Sequence, residues 1–153
     1  MRYVTNQHSN ERFAELLFEW TNEDESWLLE EFGRIPVVED MLSYLQTYKG
    51  MGCEFRLWLK NGAPVAITAV LDQAPSNQKS WLGMIVVDPR QRKAGIGRTA
   101  IHSILSEKTD VIFAGIPYDM NEWGMFLGKC GFEQYSVEGE EKKYLILVHP
   151  NEA

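Results

Sequence analysis

The sequence predicts a mixed α/β fold, one sheet covered by helices. Three observations carry that expectation: three apolar, β-rich segments between residues 54 and 87, a switch to helical periodicity after Gly97, and a return to a buried strand at 110–116. The implied order is β-α-α-β-β-β-α-β-α-β-β. No internal repeat, low-complexity stretch or long linker interrupts it, so residues 1–153 are expected to form a single domain.

A first strand is predicted near Arg2 to Thr5, followed by amphipathic helices over Glu11 to Trp20 and Val38 to Tyr48. Residues 54–60, Glu-Phe-Arg-Leu-Trp-Leu-Lys, then alternate, and Val65 to Leu71 is apolar throughout; Asn61-Gly62 between them supplies the residues of a tight hairpin turn. Trp81 to Val87 follows the polar segment 73–79, so residues 54–87 read as three antiparallel strands joined in sequence. Asp88-Pro89 ends the third, because proline lacks the amide a ladder needs. From Gly97 onward Ala100, Ile101, Ile104 and Leu105 share one side of a helix, and Asp110 to Ile116 completes a β-α-β unit. A short helix over Asn121 to Lys129 is stopped by Cys130-Gly131, and Phe132 to Val137 and Lys143 to Val148 close the chain as two strands.

Composition narrows the function classes. Fifteen Lys and Arg against 22 Asp and Glu leave a net charge of −7, which argues against nucleic acid as the partner and suits a cationic one. No apolar run approaches the roughly 18 residues of a membrane helix, and the N-terminus lacks a signal-peptide core; a cytoplasmic protein without a membrane partner is expected. Cys53 and Cys130 are the only cysteines and lack metal-ligand spacing, so two reduced, buried thiols and no metal are expected. His8, His102 and His149 lie far apart and are expected to be exposed.

The segment Arg92-Lys93-Ala94-Gly95-Ile96-Gly97-Arg98 joins the third meander strand to the following helix. First-turn amides have no intrahelical partner, and with the helix dipole they attract phosphate oxygens. Gly95 and Gly97 leave the backbone bare to a ligand, and Arg92, Lys93 and Arg98 add positive charge. A diphosphate-bearing ligand follows. The pattern is neither a Walker loop nor the three-glycine dinucleotide fingerprint.

Met84 to Gly97, Met-Ile-Val-Val-Asp-Pro-Arg-Gln-Arg-Lys-Ala-Gly-Ile-Gly, resembles the acetyl-CoA motif of the GNAT (GCN5-related) N-acetyltransferase family. A second element, Asn121 followed by Lys129-Cys130-Gly131-Phe132, also resembles that family, and together they lie within residues 81–133. The resemblance implies a GNAT-like acyl-CoA N-acyltransferase fold with acetyl-CoA as co-substrate and an amine as acceptor. It implies that the backbone of Ile85, Val86 and Val87 holds the pantetheine arm. It further implies that Arg92, Lys93, Ala94, Gly95, Ile96, Gly97 and Arg98 wrap the pyrophosphate and that Asn121 meets the thiol end. Family members often carry a Tyr where this chain has Leu127, and leucine donates no proton.

Direct transfer needs a neutral amine, yet an amine of pKa about 10.4 is almost wholly protonated at neutral pH. Tyr118 and Asp119, just after the strand at 110–116, are the candidate catalytic residues. Glu25, Trp27 and Glu30, in an acidic segment with Glu23, Asp24 and Glu31, are candidate acceptor-binding residues, since acids around an aromatic ring receive cations. The expected activity is transfer of acetyl from acetyl-CoA to a primary amine of a small molecule or protein, by a monomer or homodimer. A second reading is a non-catalytic acyl-CoA-binding or protein-interaction module on the same fold. A third is a phosphate-binding domain for another nucleotide.

Overall fold

The computed structural model describes residues 1–5, 11–21, 37–91, 94–108, 110–117, 121–140 and 143–150. Among these residues seven strands form one mixed sheet in the order β1-β2-β3-β4-β5-β7-β6. They are β1 (Arg2–Thr5), β2 (Cys53–Lys60), β3 (Ala63–Leu71), β4 (Ser80–Val87), β5 (Ile112–Pro117), β6 (Glu133–Glu138) and β7 (Tyr144–His149). The helices among the described residues are α1 (Glu11–Thr21), α2 (Val38–Gly50), α3 (Ile96–Ser106) and α4 (Asn121–Lys129). None of these helices is long and apolar enough to cross a membrane.

Among the described residues the element order matches the sequence expectation, and the sheet is parallel only between β4 and β5, the two strands α3 connects. The β2–β3 hairpin turns at Asn61 and Gly62 with φ of 54° and 81°, the two positive values a two-residue turn of this hand requires. β5 starts at Ile112 rather than at Asp110, because the Asp110 carboxylate accepts its neighbour's amide, Val111 N, at 2.7 Å and bonds Lys79 Nζ at 2.5 Å. A side chain bonded back to the next amide favours a turn over a ladder.

Helices cover both faces of the sheet, so there are two cores. One lies under α3 and α4 and contains Ile101, Ile104, Ile112, Leu127 and the buried Trp58. The other lies under α1 and α2 and contains Leu17, Met41, Leu45, Phe55 and Ile67. Pleat alternation sends Phe55 and Leu57 of β2 into the second core and Trp58 into the first. Arg56, on the first-core face, donates to Glu54 Oε1 and to Glu107 Oε2, both at 2.7 Å, with its guanidinium 4.1 Å above the Tyr3 ring. Burial opposes the charge, but these two carboxylates outweigh it and leave the guanidinium above its usual pKa. Glu107 caps α3, so Arg56 ties the C-terminus of that helix to β2.

α4 ends in a Schellman motif: Gly131 N donates to Gly128 O at 3.0 Å and Phe132 N to Leu127 O at 3.1 Å. Leu127 and Phe132 meet in the first core, the apolar contact that accompanies this motif. Gly131 has φ +99°, and an added Cβ would lie 2.8 Å from His149 Nε2. Gly131→Ala is therefore expected to lower stability by about 1–3 kcal/mol in urea titration. The same packing corrects the expectation that all three histidines are exposed. His102 is exposed, but His149 is half-buried against the Phe132 ring, centroids 5.5 Å apart, and burial lowers its pKa. His8 lies outside the described residues.

Cys53 and Cys130 are free and buried, as the sequence suggested, and burial raises both thiol pKa values. A thiol whose folded pKa exceeds its unfolded value of about 8.5 contributes stability fully present below that pH and lost as pH rises through the folded pKa. Stability is thus expected to fall above about pH 8.5. A Cys53→Ala/Cys130→Ala variant should show a shallower fall in denaturant midpoints taken from about pH 7.5 to about pH 10.

Candidate active site

The chain leaves β4 through a turn built on Asp88. This buried residue donates its amide to Val65 O at 2.9 Å, and its carboxylate accepts from Arg90 N and Nε at 3.0 and 3.2 Å and from Nη2 at 3.0 Å. The short 3-10 turn Pro89–Gln91 that follows is closed by Gln91 N donating to Asp88 O at 2.8 Å. Beyond it Gly95 caps α3 in the left-handed region, with φ 78° and ψ 9°. Its carbonyl accepts the first helical bond, from Thr99 N at 3.0 Å. The amides of Ile96, Gly97 and Arg98 therefore stand in the first turn, where a helix has no internal acceptors to offer.

These amides open beside a gap in the sheet. β4 and β5 pair only at Ser80 with Ile112, Trp81 with Phe113 and Leu82 with Ala114. β3 follows β4 as far as Val87, and β7 follows β5 as far as Pro117. The two strands thus part after three pairs while each keeps its outer neighbour, and their facing backbone groups are left without a strand partner. An unpaired backbone group away from water is costly, so such a wedge favours a ligand that brings its own donors and acceptors.

A bulge marks the point of parting. Ala69 faces Met84 and Val70 faces Leu82, so Gly83 is an extra residue on β4. The insertion explains why Leu82 enters the first core while Met84, two residues on, enters the second. Beyond it Ile85 and Val87 turn toward α3 and Val86 toward α1 and α2.

The resulting cavity has a volume of about 490 Å³ and is lined by Gly83 to Val87, Ala114 to Ile116, the first turn of α3, residues of α4, and Thr21 of α1. Lining groups thus come from both sides of the sheet, so the opening passes through it. The lining side chains that carry charge are Arg98 and Lys129, both from the α3 and α4 side; neither a carboxylate nor an imidazole lines it among the described residues. That distribution suits an anion on the α3 side. No group of three metal-ligating side chains converges among the described residues.

The structure brings together Ile85, Val86, Val87, Gly95, Ile96, Gly97 and Arg98 of the sequence candidates, all on the cavity wall. Ala94 precedes Gly95 in the turn, and Asn121 begins α4. The candidates Arg92, Lys93, Tyr118, Asp119, Glu25, Trp27 and Glu30 lie outside the described residues. A Cβ at Gly97 would sit 2.9 Å from Phe126 Cζ and 3.4 Å from Val87 Cγ2, so its bareness also serves packing between α3 and α4. Gly95, with nothing within 4 Å of an added Cβ, faces open space instead. Leu127 is buried in the first core and forms part of the wall.

Sequence reading passed over Gly83, Thr21, Gln91, Trp123, Phe126 and Lys129 as lining residues. A glycine inside an apolar strand is a bulge signal and would have found Gly83. The others depend on where helices lie against the sheet, which local pattern does not reveal.

Comparison with known proteins agrees with the fold. The family model described as "Acetyltransferase (GNAT) family" matches residues 10–132. The uncharacterized protein YkzC of Bacillus subtilis (strain 168) is 39% identical over 129 residues, covering 81% of this chain and 88% of that protein. A crystal structure of an acetyltransferase from Thermus thermophilus superposes with a TM-score of 0.78 at 17% identity, covering 98% of this chain and 97% of that one. An aminoglycoside 6'-N-acetyltransferase complexed with coenzyme A superposes with a TM-score of 0.71 at 14% identity, covering 99% of this chain and 97% of that one.

Proposed function

The chain belongs to the GNAT acetyltransferase family, and from that premise we propose that it is a single-domain N-acyltransferase moving acetyl from acetyl-CoA directly to a primary amine. The observation that carries the proposal is the parting of β4 and β5 beside the N-terminus of α3. An extended arm with amide groups matches the unpaired strand edges, and a diphosphate matches helix amides flanked by positive side chains. The residues present therefore fit acetyl-CoA.

In this reading the backbone of Ile85, Val86 and Val87 holds the pantetheine arm. Residues 92–98 hold the pyrophosphate: Gly95 admits it, the amides of Ile96, Gly97 and Arg98 bond it, and Arg92, Lys93 and Arg98 balance its charge. Ala94 shapes the turn, Lys129 adds charge from α4, and Asn121 serves the thiol end. When bound, acetyl-CoA supplies an acyl carbonyl activated by its thioester. In this reading a backbone N–H of the 85–87 segment would donate to that carbonyl oxygen, a contribution independent of side-chain identity. Leu127 offers no proton, and a leaving thiol of pKa about 8.5 departs without a dedicated acid. Tyr118 and Asp119, which follow β5 in the sequence, are our candidates to take the proton of the amine. Glu25, Trp27 and Glu30 are our candidates to receive a cationic acceptor, and a cytoplasmic setting suits the co-substrate.

Thiol release from acetyl-CoA over a panel of primary amines tests the proposal. The expected result is release that depends on the amine and rises with pH as the amine loses its proton. Coenzyme binding without transfer to any amine would favour the non-catalytic module instead.

A further inference from the structure

One side chain bridges the opening in the sheet. α4 packs on the first-core face, where its Leu127 is buried. Yet Trp123, one turn earlier, is half-buried against both cores, the one side chain among the described residues packed against each of them. A closed sheet would keep its two faces apart, but β4 and β5 pair no further than Leu82 with Ala114. α4 also runs close to β5 here, since a Cβ added to Gly124 would stand 3.4 Å from Ile116 Cδ1. The indole thus reaches between the parted strands, and it lines the cavity.

That position bears on what the cavity can hold. In the acetyl-CoA reading the amides of Ile96, Gly97 and Arg98 fix the diphosphate on the first-core side, and the arm enters the wedge along residues 85–87. The far end of the arm, the acyl group, then points toward the second face, where Met84 and Val86 line the cavity. Trp123 is the side chain that spans this path. It shares a side of α4 with Phe126 and Leu127, which also line the cavity, and both pack with the first core. An indole backed by two cores yields little, and close-packed surroundings resist even a few added methylenes.

Resting on the acyltransferase reading, we propose that Trp123 sets the length of the acyl group, closing the far end of the channel so that acetyl is accepted and a six-carbon chain is refused. The indole acts by its volume. Its removal leaves an apolar space bordered by the cavity residues Val86 and Leu127, which suits a longer alkyl chain.

Dissociation constants of CoA, acetyl-CoA and hexanoyl-CoA, taken by titration calorimetry on the full chain, test this without any acceptor. Wild type should bind hexanoyl-CoA at least about tenfold more weakly than acetyl-CoA, the scale on which an apolar pocket rejects surplus methylenes. In Trp123→Ala the ratio of those two constants should fall by about tenfold. A side chain that merely joined two cores would change stability and the affinity for all three ligands together, leaving the ratio where it was. Trp123→Leu, which keeps an apolar contact and is expected to move the ratio the same way, carries the test if alanine unfolds the chain. Equal affinity of the wild type for the two acyl-CoAs, or a folded variant that keeps the wild-type ratio, would overturn this proposal alone. A wild type that binds neither CoA nor acetyl-CoA would overturn the acyltransferase reading and this proposal with it.

Discussion

Replacing Gly97 by valine is expected to lower kcat/KM for acetyl-CoA by about a hundredfold, the scale on which a displacement of about 1 Å acts on a reacting geometry. The cause is local. The Cβ alone would stand 2.9 Å from Phe126 Cζ and 3.4 Å from Val87 Cγ2, and the two γ-methyl groups need still more room. Phe126 is the element able to yield, and it lines the cavity, as do Val87 and the first turn of α3. Relief of the clash therefore shifts the site's own walls. Gly128→Ala is the control: it sits on α4 with open space around an added Cβ, and alanine there should add about 0.5–1 kcal/mol of stability. Steady-state kinetics on the two variants, with circular dichroism to establish folding, separate damage to the site from damage to the helix pair.

Trp58→Ala is expected to cost about 3–5 kcal/mol of folding stability, read from denaturant midpoints. The side chain is 1% exposed in the core beneath α3 and α4, and its Nε1 donates to Thr68 Oγ1 at 2.9 Å. Alanine removes most of a ring system and leaves a fully buried hydroxyl without its donor. Trp58→Phe keeps most of the volume and isolates the hydrogen bond; its smaller cost, about 1–3 kcal/mol, measures the stranded threonine. The position matters beyond stability, since the same core seats α3 and so sets where the Gly95 turn meets the wedge. Arg56 supports that seating at the other end of α3 through its bond to Glu107.

How much of this was legible beforehand follows from the range of the forces concerned. Asn61-Gly62, the apolar runs of β3 and β4 and the stop at Gly131 are decided by neighbours in the chain, so pattern located them closely. The glycine turn before α3 was legible for the same reason, and its place after an apolar strand pointed to a phosphate-binding backbone. The packing of Gly97 against Phe126 was not, because Phe126 reaches it from another helix. Nor was the half-burial of His149, which follows from β7 passing the turn at Gly131. Gly83 could have been read as a bulge. That its bulge falls where β4 leaves β5, beside a second glycine at 115, is a property of the assembled sheet alone.

The central claim is that the wedge between β4 and β5 holds an acyl-CoA, and thermal unfolding with acetyl-CoA, CoA, ATP and NAD tests it most directly. A ligand that binds only the folded chain, at about 100 times its dissociation constant, adds about 2.7 kcal/mol. The account predicts that acetyl-CoA and CoA raise the melting temperature while ATP and NAD at equal concentration leave it nearly unchanged. Stabilisation by ATP or NAD with none from the CoA ligands would contradict it.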